Sequence, residues 1–187
     1  MTFRTRLIFV ALGASALSLA ACSEQGDNEA TPLTENAQEA AGNDTLATGL
    51  GDAKKFGEAA KAAGLDATLA GPGPYTLLVP TDAAFDKMPA GALDTLMKPE
   101  ARADLTGVLT YHILPGTILV ADIGKAIEAG KGKTILPTMG GGTLTATKEG
   151  DAIVVADGAG TKARLVGTDE KRSNGVIHRV DAVLMPS

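Results

Sequence analysis

The apolar residues of this chain change their spacing partway along, and that change decides the fold class. From Leu46 to His112 they recur every three or four residues; from Lys133 onward they alternate with polar ones. The first spacing lines one face of a helix and the second lines one face of a strand. Helices in the first part and strands in the second predict an α+β domain, not the alternating units of a parallel α/β sheet. There is no internal repeat.

Leu46, Leu50, Ala53, Phe56, Ala60 and Ala63 predict one amphipathic helix closed by Gly64. Gly71 to Pro74 breaks the chain, and Tyr75 to Pro80 reads as a short buried strand. Thr81 or Asp82 suits the cap of a helix turn over Ala83 to Lys87 that Met88-Pro89 ends. Leu93, Leu96 and Met97 mark another short helix. Leu105, Val108, Leu109 and His112 fall on one helix face, and Ile113 to Gly116 reads as a stop. Asp122 to Glu128 predicts a further turn or two. Strands are expected around Leu144 and Ala146, around Ile153 and Val155, from Arg164 to Val166, and from Val176 to Leu184. Gly140 to Gly142 and Gly150-Asp151 are the hairpin turns between them.

Ahead of this domain the chain reads differently. Residues 1 to 21 carry Arg4 and Arg6, no acid, and an apolar run from Leu7, the composition of an export signal. The run ends in Leu19-Ala20-Ala21-Cys22, which resembles the lipobox of bacterial lipoproteins. That resemblance implies cleavage before Cys22 and acylation of its thiol, so that the lipid bilayer becomes a partner. Two or three acyl chains anchor a protein stably where one does not. Ser23 is not the aspartate linked to inner-membrane retention. The expected location is therefore the outer membrane, with the outer leaflet of the inner membrane as the other. Residues 22 to 44 hold six acids and no base, the composition of an extended tether, and the domain runs from 45 to 187.

Composition removes several function classes. Cys22 is the only cysteine, so neither a disulfide framework nor a cysteine zinc site is available. Past residue 21 the aromatics are Phe56, Tyr75, Phe85 and Tyr111, too few for base-stacking platforms. The net charge of −5 becomes −7 once Arg4 and Arg6 leave. No nucleic-acid partner is expected.

Three ordered segments resemble the fasciclin-type domain, FAS1. The first is Gly73-Pro74-Tyr75-Thr76-Leu77-Leu78-Val79-Pro80-Thr81-Asp82-Ala83-Ala84-Phe85. The second is the tyrosine-histidine segment Leu109-Thr110-Tyr111-His112-Ile113-Leu114-Pro115-Gly116, and the third runs from Ser173-Asn174-Gly175-Val176-Ile177-His178 to Asp181. The resemblance covers about residues 45 to 186. It implies a wedge-like β-sandwich with helices packed on one side, and a role in extracellular adhesion.

Most signature residues have structural reasons. Pro74 and Pro80 limit strand pairing, Phe85 fills the core, and Asn174-Gly175 suits a turn of positive φ before the last strand. His112 and His178 both sit among apolar neighbours, as hydrogen-bonded core histidines. The resemblance also implies that Tyr111 and His112 form part of a partner-binding surface, with Tyr111 pointing off the apolar face. Asp169-Glu170 stands where animal members carry an aspartate-isoleucine pair thought to contact integrins. The second residue is a charge here, beside Lys171-Arg172, which puts integrin-like recognition in doubt and reads as a solvated loop.

No catalytic serine elbow, phosphate loop or His-x-x-x-His spacing occurs, and no enzyme activity, metal or cofactor is expected. Two readings follow. One is an anchored adhesion module for a protein or polysaccharide surface ligand. The other is a carrier holding an apolar small molecule between helices and sheet.

Overall fold

A computed structural model describes residues 44–186. The export segment, Cys22 and the tether up to residue 43 lie outside the described residues. After a 3-10 turn at Thr48–Leu50 come the helices α1 (Lys54–Ala63) and α2 (Asp66–Ala70). Strand β1 (Tyr75–Pro80) follows, then α3 (Asp82–Asp86), α4 (Ala92–Leu96) and α5 (Arg102–Tyr111). Next are β2 (Ile113–Pro115), α6 (Val120–Ala129) and β3 (Lys133–Pro137). The rest is strand: β4 (Thr143–Glu149), β5 (Ala152–Ala156), β6 (Lys162–Arg172) and β7 (Gly175–Val180).

The seven strands hydrogen-bond in the order β2-β1-β7-β6-β5-β4-β3. All neighbours are antiparallel except β1 and β7, which run parallel in register from Tyr75 opposite Gly175 to Pro80 opposite Val180. The sheet turns a corner at β6. Its register to β7 shifts between Val166 and Glu170, and Gly167 sits inside that irregularity at φ 80°, where a β-carbon would be strained. Lys162 to Arg164 pair with β5, while Glu170 to Arg172 pair with β7.

Two apolar cores result. Between the halves of the bent sheet, Leu78 of β1, Leu114 of β2 and Val180 of β7 face Leu144, Ala146 and Val155 of β4 and β5. Behind the sheet, Leu77 and Val79 of β1 and Ile177 of β7 pack against Phe56, Ala60, Phe85, Leu105 and Leu109 from the helices. Strand β1 is thus buried on both faces, which is why its sequence is a continuous apolar run with no alternation. This is the expected wedge-like sandwich with helices on one side.

Several elements differ from the sequence reading, among them α2 and β3, which it did not single out. The helix expected from Leu46 to Ala63 is two pieces. Ala53 leaves helical geometry at φ −103° and ψ 71°, and its N–H closes the 3-10 turn on the Leu50 carbonyl at 2.8 Å. Helix α1 then restarts with Asp82 Oδ1 accepting from the Lys55 N–H at 3.1 Å. Ile113 to Pro115 is an edge strand as well as a stop, because β1 offers it a free backbone edge. Helix α6 runs ten residues, longer than expected, and β7 ends at Val180.

Candidate functional site

The two outer signature segments meet at the turn between β6 and β7. Asn174, 5% exposed, accepts the Leu46 N–H at 2.8 Å on its side-chain oxygen. Its amide nitrogen donates to the Leu69 and Gly71 carbonyls at 2.9 and 2.7 Å. Its own carbonyl accepts the Tyr75 N–H at 3.1 Å. One asparagine thereby fastens the start of the domain, the end of α2 and the start of β1. Gly175 is required here by close approach more than by a left-handed turn. Its φ of 159° is nearly extended, but a β-carbon would overlap the Tyr75 carbonyl. In the first signature, Thr81 caps α3 by accepting the Ala84 N–H at 3.3 Å, while Asp82 serves α1. Phe85 is buried in the helix-side core.

His112 is fully buried at the end of α5. Its Nδ1 lies 2.8 Å from the Val108 carbonyl, which only accepts, so Nδ1 carries the proton. Its Nε2 accepts the Leu184 N–H at 3.1 Å. Burial, against weaker support from Val108 and Asp157, drops its pKa from the usual 6.5 to about 4. The ring is a neutral bridge between α5 and the segment after β7. Tyr111, expected to point outward, is only 2% exposed, and its hydroxyl donates to the Thr143 carbonyl at 2.9 Å. Helix α5 ends between the two cores, so His112 faces one and Tyr111 the other. Burial pushes the tyrosine phenol above its ordinary pKa. Neither side chain of this pair is offered to a partner.

Asp169 and Glu170 lie within β6, not on a solvated loop. Asp169 Oδ1 accepts the N–H of Val120 at the start of α6 at 3.2 Å. It also lies 3.3 Å from Nδ1 of His178, whose Nε2 donates to the Ile118 carbonyl at 2.7 Å. No hydrogen bond spans that gap, and the Nδ1 atom has no hydrogen-bond partner among the described residues. Glu170 takes two contacts from Arg179, at 2.7 and 3.1 Å, and one from Arg172 at 3.0 Å. The Arg179 hydrogen bond is the main reason its carboxyl is held below the usual range. Arg172 also pairs with Asp44, tying the first described residue to the β6–β7 turn. Asp44 is therefore docked on the domain and not free tether: its carbonyl accepts the Ser173 N–H at 2.9 Å.

Sequence reasoning singled out Tyr111, His112, Asp169 and Glu170 as one kind of residue, yet the structure gives them separate tasks. Arg172, Arg179 and Asp157 escaped it. Asp157, 7% exposed, accepts the N–H groups of Thr161 at 2.7 Å and Met185 at 3.0 Å. An arginine on β7, four positions after the glycine that starts this buried strand, was the available signal for a cross-strand acid. None of these groups faces a cleft with a nucleophile beside it. No group of three or more potential metal ligands occurs among the described residues. The apolar cavity between helices and sheet, bounded by Phe56, Phe85, Met88, Leu105, Leu109 and His112, measures about 10 Å³. That is room for one water, far below the several hundred Å³ of a small-molecule site.

A family model described as the fasciclin domain matches residues 51–186. The chain belongs to the fasciclin domain family. Protein sll1483 of Synechocystis is 36% identical to it over 148 residues, covering 79% of this chain and 71% of that protein. The cell surface glycolipoprotein MPB83 of Mycobacterium bovis is 33% identical over 114 residues, covering 61% and 44%. Among solved structures, the FAS1 domain pair of the insect cell adhesion molecule fasciclin I aligns with a TM-score of 0.53. It covers 70% of this chain and 44% of that one at 22% identity, a likeness of fold. This chain thus spans under half the length of the latter two proteins. Within the fasciclin domain, the signature residues are fasteners between segments.

Proposed function

We propose that this fasciclin domain is an extracytoplasmic adhesion or interaction module, held to a membrane through a lipid on Cys22. The observation that carries the reading is where the chemistry-bearing side chains sit. His112, Tyr111, His178 and Asn174 are all buried and engaged in joining segments, so the exterior remains as the working part. Support also comes from the relatives: one is named a cell surface glycolipoprotein, and the structural neighbour is named a cell adhesion molecule. The acidic stretch of residues 22 to 43 gives such a domain reach from the bilayer. Ser23 favours the outer membrane as the site of anchorage.

The test is deletion of the gene followed by attachment assays on cells complemented with wild type or Cys22→Ala. Wild type restores attachment and the unanchored variant, exported at equal level, does not. Full restoration by Cys22→Ala removes the anchor from the mechanism, and no loss on deletion removes adhesion.

A further inference from the structure

The outward face of the β3–β6 meander is built as a shallow trough. Register fixes its rows: Lys133 of β3 lies opposite Thr147, Thr147 opposite Val154, and Val154 opposite Arg164. One step along, the row reads Ile135, Thr145, Ala156 and Lys162. The alternate residues Leu136, Leu144, Ala146, Val155 and Ala163 point the other way, into the core. Small side chains therefore floor the middle two strands, and long ones rise from the outer two. Walls three strand spacings apart stand ~14 Å from each other.

Burial supports this geometry. Val154, at the centre of one row, is 3% exposed and belongs to neither core. Lys133, Arg164 and Ile135 are exposed, Ile135 at 55%. The hydroxyls of Thr145 and Thr147 make no hydrogen bond among the described residues. The face carries three cations, Lys133, Lys162 and Arg164, against one acid, Glu149, in a domain whose residues 45 to 187 hold 16 acids and 15 bases. Glu149 pairs with Lys162 at 2.8 Å, with both partners well exposed. An exposed pair of this kind is weak and gives way to a competing anion.

We infer that this trough binds an acidic polysaccharide, a uronate-type polymer of the extracellular matrix, which names the surface ligand of the adhesion reading above and rests on it. No aromatic ring lies on this face to stack on a neutral sugar, so recognition falls to the cations and the threonine hydroxyls. Positive walls over a hydroxylated floor are complementary to carboxylates spaced along a polyhydroxylated chain. Two net charges and a single exposed isoleucine are a poor match to a bilayer, which rewards polybasic clusters and inserted apolar side chains.

The experiment is affinity electrophoresis and biolayer interferometry of the full chain in detergent micelles, with alginate as probe, dextran as neutral control and vesicles of phosphatidylglycerol as lipid control. Wild type binds alginate in a salt-sensitive way and ignores dextran. The double variant Lys133→Gln/Arg164→Gln weakens binding by roughly fivefold, the scale expected for two exposed charges. Glu149→Gln, which frees Lys162 and removes the one acid, tightens it by about twofold. Circular dichroism and thermal melting confirm that the variants are folded. The inference is overturned if the double variant binds like wild type, if Glu149→Gln weakens binding, if dextran competes equally, or if vesicles bind and alginate does not. A chain that restores cell attachment without binding alginate overturns this surface and leaves adhesion standing. One that binds alginate while deletion leaves attachment intact overturns the adhesion reading.

Discussion

Acidification should loosen this domain through His112 as pH falls below neutrality. The folded ring donates from Nδ1 to Val108 and accepts the Leu184 N–H on Nε2. A second proton has nowhere to go but Nε2, where it would face a backbone donor inside a dry core. The folded pKa is accordingly about 4, below the 6.5 of an exposed histidine. The unfolded chain therefore takes up a proton first as pH falls, and stability attributable to His112 is lost from pH 6.5 downward until the folded ring also titrates near 4. Linkage over that 2.5-unit gap amounts to about 3 kcal/mol, of which roughly 2 kcal/mol disappears between pH 7 and pH 5. Urea unfolding of the full chain at half-unit pH steps measures it, with wild type compared against His112→Gln. The variant starts less stable, but the slope is the readout: wild type falls by ~2 kcal/mol more than the variant over that range. His178 is present in both chains and cancels in the comparison. Parallel lines for the two proteins would refute the reasoning, as would a wild type that gains stability relative to the variant on acidification. Should His112→Gln fail to fold, the ring's own carbon shift followed by NMR gives the same answer. A His112 titration midpoint at 6 or above ends the argument.

Three further outcomes follow from the fastenings. Glu170→Gln removes the acceptor shared by Arg179 and Arg172 and lowers stability by about 1–3 kcal/mol in urea unfolding at pH 7. Because the Glu170 carboxyl is held below its usual 4.5, its contribution is present above pH 4.5 and is lost as pH falls through the lower folded value. The variant therefore flattens the acid limb only below 4.5, outside most of the His112 range. Asn174→Ala strands the buried Leu46 N–H and takes a donor from the Leu69 and Gly71 carbonyls, and costs ~2–4 kcal/mol by the same assay. A loss under 1 kcal/mol would mean water replaces the side chain. Gly49→Ala puts a β-carbon 2.5 Å from Arg172 Nε and 2.6 Å from Ile177 Cδ1, an overpacking of roughly 1–3 kcal/mol. Ile177→Val in the same chain should recover part of that loss, and strict additivity of the two changes would place the strain elsewhere.

What was legible in the sequence, and what was not, divides along a physical line. Spacing reports which face of an element is apolar, so the α+β division, the buried β1 and the helix face carrying His112 all followed from it. It is silent on pairing between distant segments. Nothing local in Ile113-Leu114-Pro115 says strand; it becomes one because β1 has an unpaired edge beside it. Likewise the gap at Gly51 to Ala53 was invisible, since Asp82 caps α1 from another element. Tyr111 is the most instructive residue. On a helix against a single core, the neighbour of a buried His112 must turn toward water, and the outward reading was sound on that premise. The premise fails because the sheet bends at β6 and creates a second core on the far side of α5, where Leu144 and Ala146 await the ring. Gly142 records the fit: a β-carbon there would stand 2.5 Å from the ring of Tyr111. The bend thus changes the candidate site as well as the fold. By giving the domain two interiors it consumes both signature faces, and the surface left over is the one least marked in the sequence, the threonine-floored outside of the meander.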